Sequence, residues 1–183
     1  MSVIKPGSIG IVIEDYTFNA CEAVIEKLTG DGFHSFNVLY DDIISEAHLG
    51  AGVNQKSIES YFDGKSCVLI LEPRDLYFGQ EEIDYVIARW QSEEGKKYDK
   101  MNILARKIRL FRRFVNEEKR ICSEHTAYGY EPYYSFLGKK VINTTPNDML
   151  RDSIYTNFSA FRSYRLDTKK EKFFNEKRRA EEA

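Results

Sequence analysis

Short apolar runs separated by charged stretches set the outline of the chain. Ile9 to Ile13, IGIVI, is a continuous β-branched run, the mark of a strand covered on both faces. ACEAVIEKL places Ala20, Val24 and Leu28 four apart with charges between them, which predicts an amphipathic helix ended by Gly30 and Gly32. FNVLY at 36–40 predicts a second strand leading into Asp41 and Asp42. After a loop holding Gly50 and Gly52, QKSIESYF predicts a brief helix stopped by DGK, and Cys67 to Leu71 a third strand. Glu81 to Trp90 predicts a helix with Ile83, Val86, Ile87 and Trp90 on one face.

The second half reads differently. Met101, Leu104, Ile108, Phe111 and Val115 step by threes and fours, while Lys100, Arg106, Lys107, Arg109, Arg112 and Arg113 crowd the remaining surface, predicting a helix with a basic outer face. YGYEPYYSFL, Tyr128 to Leu137, reads as an aromatic-rich loop, and KKVINTTP as a short strand with Val141 and Ile142 at its core. Ile154, Phe158 and Phe161 suggest a final core helix. Strands separated by helical segments imply βαβ units. The expected fold is α/β: a three-layer sandwich on a central, mostly parallel, flavodoxin-like sheet with a helical and aromatic C-terminal extension. One domain spans 1–165, and 166–183 is a charged tail.

Composition narrows the classes. At 183 residues, 42% hydrophobic and 31% charged, the chain is long enough to bury a core. A net charge of -2 gives no whole-protein attraction to nucleic acid or membrane. Cys21, Cys67 and Cys122 are far apart and odd in number, which reads as reduced, mostly buried thiols rather than disulfides or a zinc site. His34, His48 and His125 show no ligand spacing and read as structural or solvent-facing, so no metal is expected. MSVIKPGSIG lacks a signal-peptide pattern and no apolar run approaches a membrane span, so a cytoplasmic location is expected.

In an open parallel sheet, loops at the carboxyl ends of the strands converge on a crevice where ligands bind. Glu14, Asp15 and Tyr16 would come from the first strand, Tyr40, Asp41 and Asp42 from the second, and Glu72 and Arg74 from the third, with Tyr77, Phe78 and Glu82 just beyond. Acids at such positions also serve as helix caps, which is the plainer reading of Asp15, Asp41 and Asp42. Glu82 lies further into its helix, beside Tyr77 and Phe78. A carboxylate there suits the developing positive charge of a sugar whose N-glycosidic bond is breaking.

This order of elements, with the acidic loop YDDIISEAHLGAG, the strand CVLIL and the aromatic-led helix start YFGQEEI, resembles a Toll/interleukin-receptor (TIR) domain, the bacterial TIR-like proteins above all. The resemblance covers about residues 8–90 and is related in sheet to nucleoside deoxyribosyltransferase-like proteins. Phe78, Gly79, Gln80, Glu81, Glu82 and Ile83 fall on the family's Trp-Cys-x-x-Glu-Leu pattern, with Phe78-Gly79 in place of Trp-Cys. The resemblance implies hydrolysis or cyclisation at the nicotinamide-ribose bond of NAD or a related nucleotide, with Glu82 catalytic. NAD would be the substrate, and no cofactor would be required. Glu14, Asp15, Tyr16, Asp41, Asp42, Tyr77 and Phe78 would bind substrate. A homo-oligomer or a partner protein, and a role in bacterial signalling or antiviral defence, are implied by the same likeness.

A weaker likeness, IGIVIEDYTFNACEAVIEKLTGDGF, is to a degenerate receiver domain, with Glu72 where a phosphate-accepting Asp would stand; this is a non-catalytic interaction module. The basic stretch Lys100 to Arg113 supports a third reading, nucleic-acid contact, against a plain surface helix.

Overall fold

The computed structural model describes residues 4–14, 34–61, 67–100, 118–153 and 158–165. Six strands build one sheet: β1 (Ile9–Glu14), β2 (His34–Tyr40), β3 (Ile43–His48), β4 (Gly52–Ser57), β5 (Cys67–Pro73) and β6 (Phe158–Arg165). Their spatial order is β4-β3-β2-β1-β5-β6, and every neighbouring pair is antiparallel. The expected three-layer sandwich on a mostly parallel sheet is therefore overturned.

The reason lies between Tyr40 and Ser57. Asp41 adopts φ 48°, a left-handed conformation that Asp tolerates, and with Asp42 it makes a tight turn into β3. Gly50 and Gly52, both at positive φ, turn the chain again into β4. The acidic loop and brief helix of the sequence reading are thus two hairpin strands followed by a single 3-10 turn, Ile58–Tyr61.

Both faces of this antiparallel sheet are covered. Ile9, Ile11, Leu39 and Leu71 point to one side and meet Ile83, Val86 and Trp90 of α1 (Gln80–Ser92), Ala127 and Tyr130 of α2 (Cys122–Tyr130), and Met149 of α3 (Pro146–Ser153). Val12, Phe36, Val38, Ile44, Val68 and Ile70 point to the other side, against Ile4, Ile58 and Tyr61. Alternate residues of each strand therefore enter different cores, and each fully buried large side chain contributes about 1.5–3 kcal/mol. Gly10 leaves room for the Phe36 ring paired across from it, since a Cβ there would fall inside the ring.

α1 buries Ile83, Val86 and Trp90, the face its periodicity predicts. Three later segments differ from expectation. Tyr128 to Tyr130 closes α2, Val141–Asn143 is a 3-10 turn, and Phe158 opens β6. Helix α3 starts at Pro146, where a missing N–H costs nothing, and Thr145 and Asp148 cap each other at 3.0 and 3.1 Å. The predicted helices at 20–28 and 101–115 and the tail from 166 lie outside the described residues. No helix among the described residues is long and apolar enough to cross a membrane.

Candidate functional site

The first residue of β2 and the first residue of α2 meet. Cys122 opens α2 after Ile121, whose extended backbone (φ -99°, ψ 166°) ends the preceding segment. Glu124 reaches back to accept the Ile121 N–H at 3.3 Å. The chain entering the helix is tied down as well. Arg120 exchanges backbone hydrogen bonds with Lys97 and Asp99 at 3.0 Å, and its guanidinium grips Glu93 at 2.7 and 2.8 Å. Downstream, Thr126 donates to the Cys122 carbonyl at 3.1 Å and Ser123 to the Thr144 carbonyl at 2.7 Å. Gly129 lets Trp90 lie against the helix, where its indole N–H donates to the Thr126 carbonyl at 3.2 Å. The cysteine is thus held at a rigid helix N-terminus, a position whose free N–H groups and dipole favour a thiolate.

His34 and Cys122 each shift the other's protonation, and through Nε2 His34 pairs with Glu46 on β3 at 2.9 Å. With Nε2 committed to the carboxylate, Nδ1 is the nitrogen left for the sulfur. Glu46 is 2% exposed and carries two further donors: the Tyr61 hydroxyl at 2.5 Å on Oε2 and the Lys56 ammonium at 2.7 Å on Oε1. The hairpin register explains the grouping. Glu46 pairs with Phe36, two residues from His34, and Lys56 lies diagonally across β4.

Protonation follows from these contacts. Burial alone would pull the His34 imidazole pKa down, but the hydrogen bonds and negative charges of Cys122 and Glu46 more than reverse it, to about 10. Burial pushes the Cys122 thiol up, and His34 and Ser35 outweigh it, so the thiol lies below its ordinary value. Burial likewise opposes ionisation of Glu46, yet His34 and Lys56 hold its carboxyl far below the usual carboxylate range. The contacts therefore bias Cys122 toward thiolate, His34 toward imidazolium and Glu46 toward carboxylate, with Lys56 2.7 Å beyond the carboxylate.

Beneath Cys122 the α2–sheet interface is polar. Ser45 pairs with the ring of His125 at 2.8 Å, and the other nitrogen of that ring faces Glu93 at 3.5 Å. Burial lowers the His125 pKa, whereas Glu93, which burial alone would push up, is drawn down to about 2 by His125, Lys96 and Arg120. Asn37, on the same β2 face as Ser35, is fully buried with neither amide atom hydrogen-bonded.

The residues singled out from sequence fall elsewhere. Asp15 and Tyr16 lie outside the described residues. Glu14, ending β1, is opposite Cys67 at the start of β5, so it sits at the far edge of the sheet from Asp41 and Asp42 after β2 and from Glu72 near the end of β5. Asp41 and Asp42 form the β2–β3 turn. Tyr77 is exposed, Phe78 is packed in the core against Tyr130 and Phe158, and Glu82 stands in the first turn of α1. Among the described residues, no hydrogen bond or ion pair joins Glu82 to another of these positions.

His34, Glu46 and Cys122 were not singled out from sequence. The legible signal was a lone Cys at a helix start, with Glu two residues on, together with a His and a Glu twelve residues apart across a hairpin turn. Among the described residues no cluster could hold a metal ion. No protein-family model matches the chain, and no curated protein matches it.

Proposed function

We propose that the chain is a cysteine-dependent acyl hydrolase, cleaving an amide, ester or thioester, with Cys122 as nucleophile, His34 as acid and base, and Glu46 orienting His34. The observation that carries this reading is the grouping of Cys122, His34 and Glu46, in which His34 pairs with Glu46 at 2.9 Å and draws the Cys122 thiol below its ordinary pKa. Such a nucleophile, base and orienting acid define the logic of covalent acyl transfer.

The Cys122 thiolate adds to the acyl carbon, and the oxyanion forms at the positive end of the α2 dipole. Collapse breaks the bond to the leaving group, which takes the proton from His34. The neutral imidazole then draws a proton from water, whose oxygen attacks the thioester. The acid departs and the thiolate returns. Glu46 keeps its charge throughout, holding the ring in place and stabilising the imidazolium.

Incubation with p-nitrophenyl acetate tests this. Native protein should release nitrophenolate in a burst and carry one acetyl group on Cys122, with both lost in Cys122→Ala and slowed in His34→Ala. Acetylation of Cys21 or Cys67 instead, or equal rates for native and His34→Ala, would sink the assignment.

Cleavage of the nicotinamide-ribose bond at Glu82 stands as a separate proposal, supported by the placement of that carboxylate in the first turn of α1. It predicts nicotinamide release from NAD by native protein and by Cys122→Ala, and none by Glu82→Gln.

A further inference from the structure

On the outer side of α2 lies a cavity of about 600 Å³. One wall is the helix face Glu124, Ala127, Tyr128 and Glu131, spaced three and four apart. Cys122 is on the other face, since Glu124 is about 200° around the helix from it at 100° per residue. The opposite wall is the 135–144 loop, which contributes Phe136, Val141 and Thr144 and turns through two left-handed residues, Leu137 at φ 50° and Gly138 at φ 66°. The cavity is therefore separate from the thiol, although Lys119 and Arg120 at its mouth lead directly into α2.

Its charge is unbalanced. Lys119, Arg120, Lys139 and Lys140 line it. Arg120 is bound to Glu93 and Lys139 to Asp148. Lys119 and Lys140 have no acidic partner among the described residues. Of the two acids of the lining, Glu131 is taken by Arg89 at 3.1 Å, and the buried Glu124 accepts the Ile121 N–H at 3.3 Å. Two lysines without an acidic partner among the described residues thus line a space whose apolar lining includes Ala127, Tyr134, Phe136 and Val141.

The geometry points to a binding site for an organic anion: a sulfonate, phosphate or carboxylate held by Lys119 and Lys140, with an apolar or aromatic body lying between Tyr134, Phe136 and Val141. The volume falls within the roughly 300–1,000 Å³ of small-molecule sites, and apolar walls with a few converging charges are their usual lining. An inorganic ion alone would leave those walls unused.

The test compares two fluorophores that differ in one group, 1-anilinonaphthalene-8-sulfonate and its uncharged analogue N-phenyl-1-naphthylamine, titrated into the full chain. The sulfonate should bind one-to-one, equally to native protein and to Cys122→Ala. Its affinity should fall by about tenfold in Lys119→Gln/Lys140→Gln, whose lysines hold no partner that the fold needs. Affinity for the uncharged analogue should be unchanged by that double variant. Sulfonate binding that survives the double variant within twofold, or is abolished by alkylating Cys122, or is absent altogether, overturns the inference. None of these readouts requires turnover, so failure here is distinct from failure of the acyl hydrolase reading.

Discussion

Replacing Glu46 by Gln keeps the size of the side chain and removes one charge from the site. His34 moves from 6.5 to about 10 despite burial, which corresponds to about 5 kcal/mol favouring imidazolium. Cys122 and Glu46 together deliver it, so removing the Glu46 charge lowers the His34 pKa. The loss is compounded because Lys56, 2.7 Å from the carboxylate, is left as an unopposed cation near the ring. Both changes favour neutral imidazole, and the thiol then keeps its proton. The assay is the second-order rate of alkylation by iodoacetamide across pH 5 to 10, with the adduct located by peptide mass spectrometry because Cys21 and Cys67 are also present. Native Cys122 should show an inflection below the ordinary thiol value of 9.0, and Glu46→Gln, by weakening the imidazolium beside it, should raise it. Adding Lys56→Met to Glu46→Gln should lower it again by removing the stranded cation. An inflection unmoved by Glu46→Gln, in protein shown to be folded, would refute the reasoning.

His34→Ala leaves Cys122 buried without its cation, so the thiol inflection should rise above 9.0 and alkylation at pH 7 should slow by about ten- to a hundredfold. Glu93, 1% exposed, has its pKa lowered from 4.5 to about 2 on folding, so its stabilising contribution is present above 4.5 and is lost as pH falls toward 2. Urea midpoints should show native protein losing up to about 3 kcal/mol across that window that Glu93→Gln does not lose. Gly129→Ala would drive a Cβ into the Trp90 indole and should destabilise the fold by about 1–3 kcal/mol, read as a lower thermal midpoint without a change in the Cys122 inflection of the protein that remains folded.

Much of the frame was legible. IGIVI, FNVLY and CVLIL are strands, and the Ile83, Val86, Trp90 stripe is the buried face of α1. The continuous apolar runs correctly reported two covered faces. Parallel pairing did not follow, because this antiparallel sheet has a core on each side. The misread segment, IISEAH followed by GVNQKS, carries the buried polar contacts of Ser45, Glu46 and Lys56. A strand that buries Ser45 and Glu46 does not alternate apolar with polar, so it does not look like a strand, and both side chains are buried because His125 and His34 need them. Cys122 was read as an inert buried thiol because a cysteine's partner is set by tertiary contact, and His34 lies far from it in the chain.

The division of the site between one hairpin and one distant helix also sets when it becomes dangerous. His34 and Glu46 are twelve residues apart and belong to a local hairpin, which can close early, while a chain emerging in order presents Cys122 only after all five of the sheet's first strands. Until α2 docks, its sulfur is an ordinary thiol. The lowered thiol pKa arises only in the final assembly of the fold, so a nascent or misassembled chain carries no activated sulfur.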